Sequence, residues 1–133
     1  MGEVKILLVD DEELVLRSME KTLLRTGFDV ETAGDAAAAV ERFKQAQASE
    51  TPFSLAILDL RMPGFDGESY PDTGLALLDA LLGLQADLPV VILTAFDDVE
   101  RAKEAISRGA QTYLVKGRES ALVQVVEQIM GRS

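Results

Sequence analysis

The feature that most constrains the fold of this chain is an alternation, repeated five times, of short apolar runs with longer stretches of helical period. The apolar runs lie at residues 4–9, 28–32, 53–58, 90–93 and 112–115, bounded by turn-forming residues. Strand-sized runs that alternate with helices are typical of βαβ units, in which helices cover a parallel sheet. The alternation therefore predicts an α/β domain with five parallel strands and five helices.

The polarity of each run predicts where its strand lies in the sheet. Four of the runs are apolar enough for strands buried on both faces, as interior strands of a parallel sheet are. The run at 28–32 differs, because Asp29 and Glu31 alternate around Val30. Charged residues at alternate positions suit a strand at the edge of a sheet. We therefore expect the second strand at the rim and the other four inside the sheet.

The helical stretches carry apolar residues at the spacing of one helix face, which indicates helices lying on a sheet. The stripe is clearest at Leu122, Val125, Val126, Ile129 and Met130, and weaker stripes run through Val15, Met19 and Leu23, through Ala36, Ala39, Val40 and Phe43, through Leu75, Leu78, Leu81 and Leu82, and through Val99, Ala102 and Ile106. Gly27, Gly83 and Gly109 stand where three helices should end. We expect each of these glycines to adopt the left-handed conformation of a helix C-terminus.

Length and composition suit one globular domain over residues 1–133, with 47% hydrophobic and 27% charged residues. No apolar run approaches the roughly 20 residues that a membrane helix needs, and no basic leader precedes an apolar stretch at the N-terminus. The chain has no cysteine, which suits a reducing compartment. These features predict a cytoplasmic protein that does not enter a membrane.

The absence of histidine narrows the chemistry further. Without histidine or cysteine the chain cannot build a histidine-based triad or a zinc site of the usual kind. Acid, base or phosphoryl chemistry must therefore rest on carboxylates, hydroxyls and lysine. The net charge of −10, from 13 basic and 23 acidic residues, repels phosphate backbones and anionic lipids. We therefore expect no direct binding of nucleic acid.

Reactive polar residues come directly after four of the predicted strands. They are Asp10 and Asp11 after the first strand, Asp59 after the third, Thr94 after the fourth and Lys116 after the fifth. Ligands of an open parallel sheet bind at the carboxyl ends of its strands, so these distant residues should converge. Converging carboxylates repel one another and raise each other's pKa unless a cation lies between them. Oxygen ligands alone favour Mg²⁺ as that cation.

This set of side chains has the parts needed to form an aspartyl phosphate. A carboxylate can attack phosphorus, and a metal ion, a lysine and hydroxyl donors can meet the charge of the transferring group. Asp59 would be the nucleophile, while Asp10 and Asp11 would hold the metal. Lys116 would pair with a phosphoryl oxygen, and Thr94 would donate a hydrogen bond.

Four segments of the chain resemble the receiver domains of bacterial response regulators, the phosphoacceptor modules of two-component signal transduction. They are LLVDDEE at 7–13, LAILDLRMPGFDG at 55–67, VVILTA at 90–95 and GAQTYLVK at 109–116. The resemblance covers nearly the whole chain and implies a flavodoxin-like (βα)5 fold, a doubly wound parallel sheet of order 2-1-3-4-5. It also implies a chemotaxis-regulator-like signalling domain that catalyses its own phosphorylation and dephosphorylation, rather than an enzyme acting on a separate substrate.

The resemblance assigns roles to individual residues. Asp59 is implied as the phosphoacceptor, and Asp10 and Asp11 as the acidic pair that binds Mg²⁺. Arg61 would add a metal ligand through its backbone carbonyl only.

The resemblance further implies a switch pair, Thr94 and Tyr113. The hydroxyl would move toward the phosphoryl group and the ring would turn inward behind it, a two-state element biased by a local charge. The implied donors are a histidine kinase, a phosphotransfer protein of a phosphorelay or a small phosphodonor. An effector domain on a longer chain or on a separate protein, and a homodimer, stay open, and we expect no effector domain in this sequence.

The sequence departs from the family pattern in two places near the site. Gly117 follows Lys116 where the family usually has a proline with a cis peptide bond, which glycine cannot be expected to hold because the cis form costs about 3 kcal/mol. We therefore expect a looser loop there. About six or seven extra residues lie near Glu68 to Thr73, so that Asp66–Gly67 and Thr73–Gly74 both resemble the usual start of the third helix.

Other functions stay open beside the receiver. One alternative is that Asp10 and Asp11 do no more than cap the first helix, whose dipole favours Glu12 and Glu13. A second is a pseudo-receiver, which would keep the fold but act through protein contacts alone. An aspartyl-phosphate phosphatase would want a second aspartate two residues after the nucleophile, where this chain has Arg61. Arg61 and Phe96 would flank the path of an attacking water and so affect the lifetime of the phosphoryl group.

Overall fold

The computed structural model describes residues 4–63, 69–70, 72–95, 98–117 and 119–131. In chain order its elements are β1 (Lys5–Val9), α1 (Glu13–Arg25), β2 (Asp29–Ala33), α2 (Ala36–Gln47), β3 (Leu55–Asp59), β4 (Met62–Pro63), β5 (Ser69–Tyr70), α3 (Thr73–Leu84), β6 (Val90–Thr94), α4 (Val99–Ser107), β7 (Thr112–Val115) and α5 (Glu119–Ile129). None of these helices has the length and apolar character needed to cross a membrane. The predicted alternation of strands and helices is confirmed.

Five strands form one parallel sheet in the order β2-β1-β3-β6-β7. Counting only these five strands, the order is 2-1-3-4-5, as expected. The chain winds outward in both directions from β1 and β3, so their carboxyl ends flank the point where strand order reverses. This topology places the candidate site at the end of β1 and β3.

Apolar side chains fill both faces of the sheet because successive residues of a strand point to opposite sides. In β1, Ile6 and Leu8 pack with buried residues of α1 and α5, such as Leu122. Leu7 and Val9 point to the other face and join the core formed with α2, α3 and α4. Two helices therefore cover one face of the sheet and three cover the other.

The polarity of the apolar runs predicted one of the two edge strands of the sheet. The strand β2 lies at an edge, as its charged residues indicated. The strand β7 lies at the opposite edge, where the order 2-1-3-4-5 implied by the resemblance places the fifth strand. All four of its residues are half-buried, so the interior position that its apolar run had indicated was wrong. Being the last strand added outside β6, it has a neighbour on one side only.

Two of the three expected helix-ending glycines behave as predicted. Gly27 and Gly109 have φ angles of +98° and +116°, in the left-handed region that favours glycine. Gly83 was predicted wrongly, because α3 continues through it to Leu84. The backbone N–H of Gln85 donates to Leu81 O at 2.9 Å, so the helical hydrogen bonds run past the glycine.

The extra residues after β3 contribute a short antiparallel ribbon, β4 and β5, which the sequence did not reveal. Met62 pairs with Tyr70 and Pro63 with Ser69. The third helix then begins at Thr73, so of its two candidate starts the chain uses the second. The first, Asp66–Gly67, lies outside the described residues.

Gly74 shows why the helix starts where it does. Its N–H donates to Leu60 O at 2.8 Å. A Cβ atom at this position would lie 2.5 Å from both Asp59 O and the Cα of Leu60. Only a glycine lets the first turn of α3 approach the chain this closely behind Asp59.

Candidate functional site

The carboxyl ends of β1, β3, β6 and β7 bring together residues that are far apart in sequence. Asp10 follows β1 and is fully buried, and Asp59 ends β3 with 3% of its surface exposed. Thr94 ends β6 and is also buried. Lys116 follows β7 and is half-buried. The expected convergence is present for Asp10, Asp59 and Lys116, whose side chains contact one another through the Lys116 ammonium group.

Three carboxylates form an acidic cluster at this edge. One oxygen from each of Asp10, Asp11 and Asp59 lies within 4.8 Å of the others, close enough to share one metal ion. Asp11 is exposed, whereas the other two are buried. This arrangement offers a cation hard oxygen ligands and an opening to water, which suits the partly hydrated Mg²⁺ ion.

The hydrogen bonding of Asp10 fits the same interpretation. Its Oδ1 accepts from the backbone N–H of Glu12 at 3.0 Å. Its buried Oδ2 receives no hydrogen bond of acceptable geometry from the described residues, although Lys116 Nζ lies 3.1 Å away. A buried carboxylate oxygen without a donor is costly, so this atom is suited to a metal ligand.

Lys116 is shared among three acids. Its Nζ lies 3.1 Å from Asp10 Oδ2, 2.8 Å from Glu12 Oε1 and 3.0 Å from Asp59 Oδ2. Burial alone would lower the pKa of this ammonium group, but the hydrogen bond to Glu12 and the charges of the two aspartates outweigh burial and raise it. Lys116 therefore stays charged across the physiological range.

Asp59 is held in an unfavourable environment for a carboxylate. Burial raises its pKa most, the charge of Asp10 raises it further, and Lys116 lowers it only in part, so the pKa reaches about 7. Burial and the charge of Asp10 also raise the pKa of Asp11. One ammonium divided among three acids cannot neutralise them all, and a divalent cation would relieve the repulsion.

A cleft of about 110 Å³ opens over these groups. It is lined by Glu12, Asp59, Leu60, Arg61, Ala95, Asp98 and Lys116. The lining contains three acidic side chains and two cationic ones, Arg61 and Lys116, and a small anion entering the cleft would meet both cations beside Asp59. The cleft is therefore suited to a group that reacts at Asp59.

The residues predicted as a switch pair lie on adjacent strands. Thr94 ends β6, and Tyr113 lies in β7 opposite Ile92. The Thr94 hydroxyl donates to Ala95 O at 3.1 Å. The Tyr113 ring is half-buried against the core that α2, α3 and α4 share.

The turn after β7 positions Lys116 without a proline. The Lys116 backbone N–H donates to Thr94 O at 3.0 Å, which holds the end of β7 beside β6. Gly117 has φ +93°, and the described residues contain no cis peptide bond. The chain thus leaves Lys116 through a left-handed glycine, a conformation that a proline could not adopt because its φ is fixed at a negative value.

Two charged residues of the cleft were not assigned there from the sequence. Glu12, considered only for the helix dipole, contacts Lys116. Asp98 had no signal beyond its position four residues after Thr94. Phe96 lies outside the described residues, as do Glu68 and Pro71 in the extra segment.

Comparisons with known proteins agree on one family. A family model described as response regulator receiver domain matches residues 6–127. The transcriptional regulatory protein PrrA of Mycobacterium leprae is 37% identical over 112 residues, which are 84% of this chain and 43% of that protein. The two-component response regulator ORR24 of Oryza sativa subsp. indica is 35% identical over 113 residues, 85% of this chain and 16% of that protein. This chain therefore spans less than half the length of these two relatives.

A solved structure of similar size extends the likeness to three dimensions. The receiver domain of NtrX from Brucella abortus aligns with a TM-score of 0.80 and 31% identity, covering 96% of this chain and 99% of that one. The match includes nearly all of both chains. The five-stranded architecture is thus a feature that this chain shares with a known kind of domain.

Proposed function

Because this chain belongs to the family of response regulator receiver domains, we propose that it accepts a phosphoryl group on Asp59 and that residues 1–133 act as one such domain. The observation that carries the proposal is the position of the Asp59 carboxylate. It lies 3.0 Å from Lys116 Nζ, within the acidic cluster, and lines an open cleft. A nucleophile, a cation and space for a small anion are therefore adjacent.

Mg²⁺ would be held by Asp10, Asp11 and Asp59, with the backbone carbonyl of Arg61 as a further ligand. The donor-free oxygen of Asp10 supports this assignment. When bound, the ion supplies positive charge that offsets the charge of the transferring phosphoryl group. The chain's own contribution is to orient Asp59 and to keep Lys116 charged beside it.

The reaction needs no proton transfer at Asp59 once this residue is ionised. One carboxylate oxygen of Asp59 forms a bond to phosphorus, and the bond from phosphorus to the donor's leaving group breaks. The leaving group departs with the bonding electron pair, as acetate when the donor is acetyl phosphate. Lys116 Nζ then contacts a phosphoryl oxygen, and the Thr94 hydroxyl turns from Ala95 O to donate to another.

The change at Thr94 would pass to a partner-binding surface through Tyr113. The ring is half-buried against the core, and it would turn further inward when the hydroxyl moves. The phosphoryl donor would be a histidine kinase or a phosphotransfer protein of the cytoplasm, and the output would act through an effector domain on a longer chain or on a separate protein. A homodimer of the phosphorylated form is a further output of this kind.

Labelling by acetyl phosphate tests the proposal directly. We expect the native chain to gain one phosphoryl group in the presence of Mg²⁺, detected as a mass increase, because Asp59 then has both its cation and its lysine. No gain is expected with EDTA or in Asp59→Asn. Labelling of Asp59→Asn to the same extent as the native chain would overturn the assignment of this residue.

One observation favours a second function, that of a pseudo-receiver acting through protein contacts alone. Gly117 stands in place of the family's usual proline beside Lys116 and has a left-handed backbone. If native protein and Asp59→Asn both fail to label at saturating Mg²⁺, the pseudo-receiver is the better description.

A further inference from the structure

A row of alternating charges begins at the rim of the cleft. Arg61 Nε donates to Asp98 Oδ2 at 3.2 Å, and Arg101 Nη1 lies 3.6 Å from Asp98 Oδ1. Arg101 Nε in turn donates to Asp72 Oδ1 at 3.2 Å. The row joins the loop after β3, the first turn of α4 and the residue before α3.

Asp98 is the buried member of this row. Only 8% of its side chain is exposed, and each of its carboxylate oxygens faces a different arginine. Asp98 is also the N-cap residue of α4, yet its side chain makes no capping hydrogen bond. Because aspartate is a preferred capping residue, this carboxylate is directed to its two arginines instead of to the helix.

Arg61 is the exposed member that reaches the cleft. Its side chain is 59% exposed, and it lines the same cleft as Asp59 and Lys116. A guanidinium has five N–H donors in a planar fork. Since the contact with Asp98 uses Nε, the terminal nitrogens can serve a second anion.

The charge of the cleft shows why a second cation matters. Lys116 and Arg61 are the cationic side chains among the described residues that line it. Lys116 is already within 3.1 Å of three carboxylates. A phosphoryl group adds up to about two negative charges, so it would compete with these acids for one ammonium group.

We propose that Arg61 is a second cationic contact for the phosphoryl group on Asp59, and that Asp98 is the residue that positions it there. Without Asp98 the exposed Arg61 side chain would sample many rotamers in water, and the phosphoryl group would have to order it. With Asp98 in place, the guanidinium is held beside the cleft before the anion arrives. This inference rests on the proposed phosphorylation of Asp59.

A double-mutant cycle at Arg61 and Asp98 tests the inference. Two quantities are measured at saturating Mg²⁺: the acetyl phosphate concentration giving half-maximal labelling, and the apparent affinity for beryllofluoride, followed by the shift in unfolding temperature. We expect Arg61→Gln and Asp98→Asn each to weaken both by about threefold to tenfold, as for the loss of one hydrogen bond at a solvent-exposed site. The double variant should be no weaker than Arg61→Gln, because Asp98 acts through Arg61.

Two further variants separate positioning from structural support. Arg61→Lys should give an intermediate value, because lysine keeps the charge but not the planar fork. Asp79→Asn removes another aspartate–arginine pair, Asp79 with Arg108 at 2.8 Å, which joins α3 to the end of α4 and does not line the cleft. It should leave both measurements unchanged.

The possible results are distinct. Additive losses in the double variant would mean that Asp98 only supports α4. Unchanged values of both measurements in Arg61→Gln would mean that Arg61 does not contact the phosphoryl group. Either result overturns the inference, although labelling of the native chain would still support the proposed function. Arg61→Gln is an exposed substitution, so it stays informative if Asp98→Asn unfolds. A native chain that neither labels nor binds beryllofluoride overturns the proposed function and this inference together.

Discussion

At the scale of single residues, the carboxyl group of Asp59 is held between opposing demands. Its burial and the neighbouring Asp10 make the charged form costly, while reaction with a phosphoryl donor requires that form. Lys116 reduces the cost but also serves Asp10 and Glu12. In the metal-free protein, ionised Asp59 therefore destabilises the fold.

Asp59→Asn should consequently stabilise the metal-free protein in a pH-dependent way. The pKa of Asp59 is raised from 3.8 to about 7 in the folded chain, so its favourable contribution is present below 3.8 and is lost as pH rises through 7. We expect the variant to gain about 1–3 kcal/mol of unfolding free energy at pH 8, and less at pH 5. Urea unfolding in EDTA at both pH values measures this.

The control for this prediction is Asp87→Asn, an exposed carboxylate in the turn before β6. Asp87 is not part of the acidic cluster, so its substitution should leave the pH dependence unchanged. If Asp59→Asn gained the same unfolding free energy at pH 5 and at pH 8, the surroundings of Asp59 would not raise its pKa.

At the scale of elements, the start of α3 determines how firmly the loop behind Asp59 is held. The ribbon formed by β4 and β5 ends at Tyr70, and α3 begins at Thr73 with Gly74 in its first turn. The close contact of Gly74 with the backbone of Asp59 and Leu60 means that the insertion is accommodated without moving α3 away from β3.

Gly74→Ala should therefore be strongly destabilising. Its Cβ would overlap backbone atoms 2.5 Å away, which cannot move aside as a flexible side chain can. We expect a loss of about 2–3 kcal/mol, in the range of overpacked core substitutions. The loss is measured as a lower urea midpoint at unchanged m-value.

Gly83→Ala is the matched control within the same helix. Gly83 is exposed and helical, and an added Cβ meets nothing within 4 Å. Alanine should stabilise the helix here by about 0.5–1 kcal/mol, because it restricts the unfolded chain more than glycine does. If Gly74→Ala and Gly83→Ala changed the free energy of unfolding in the same direction, this account of the Gly74 contact would be contradicted.

At the scale of the whole molecule, a cation bound at the acidic cluster would stabilise the fold. The cluster exists only when β1 and β3 are side by side, so a divalent ion would bind the folded chain and not the unfolded one. The gain for a ligand specific to the native state is about 2.7 kcal/mol at one hundred times its Kd. Cation binding at the cluster would therefore be linked to folding of the sheet.

We expect Mg²⁺ to raise the unfolding temperature at pH 8 more than NaCl at equal ionic strength, because general screening acts on all exposed charges alike. Asp10→Asn should abolish most of this difference, and Asp87→Asn should not. Calorimetric scans in EDTA, NaCl and MgCl₂ measure the effect. Identical scans in the two salts would show that the acidic cluster does not bind Mg²⁺.

The sequence by itself determined the alternation of the five main strands with the five helices, and the residues expected at the carboxyl ends of those strands. The apolar period distinguished strands from helices, since burial on two faces or on one leaves a pattern in neighbouring residues. It also placed Asp10, Asp59 and Lys116 at strand ends, and parallel topology makes such ends meet. These conclusions needed only local patterns and a general rule of connectivity.

Other features were decided by the tertiary structure alone. The choice of Thr73–Gly74 over Asp66–Gly67 depends on which glycine faces the backbone of Asp59, and both have the same local pattern. Asp98 joins the cleft through Arg61, 37 residues away. The partial burial of β7 likewise depends on its neighbours, because an apolar run shows how much surface a residue can bury and not which neighbours will cover it.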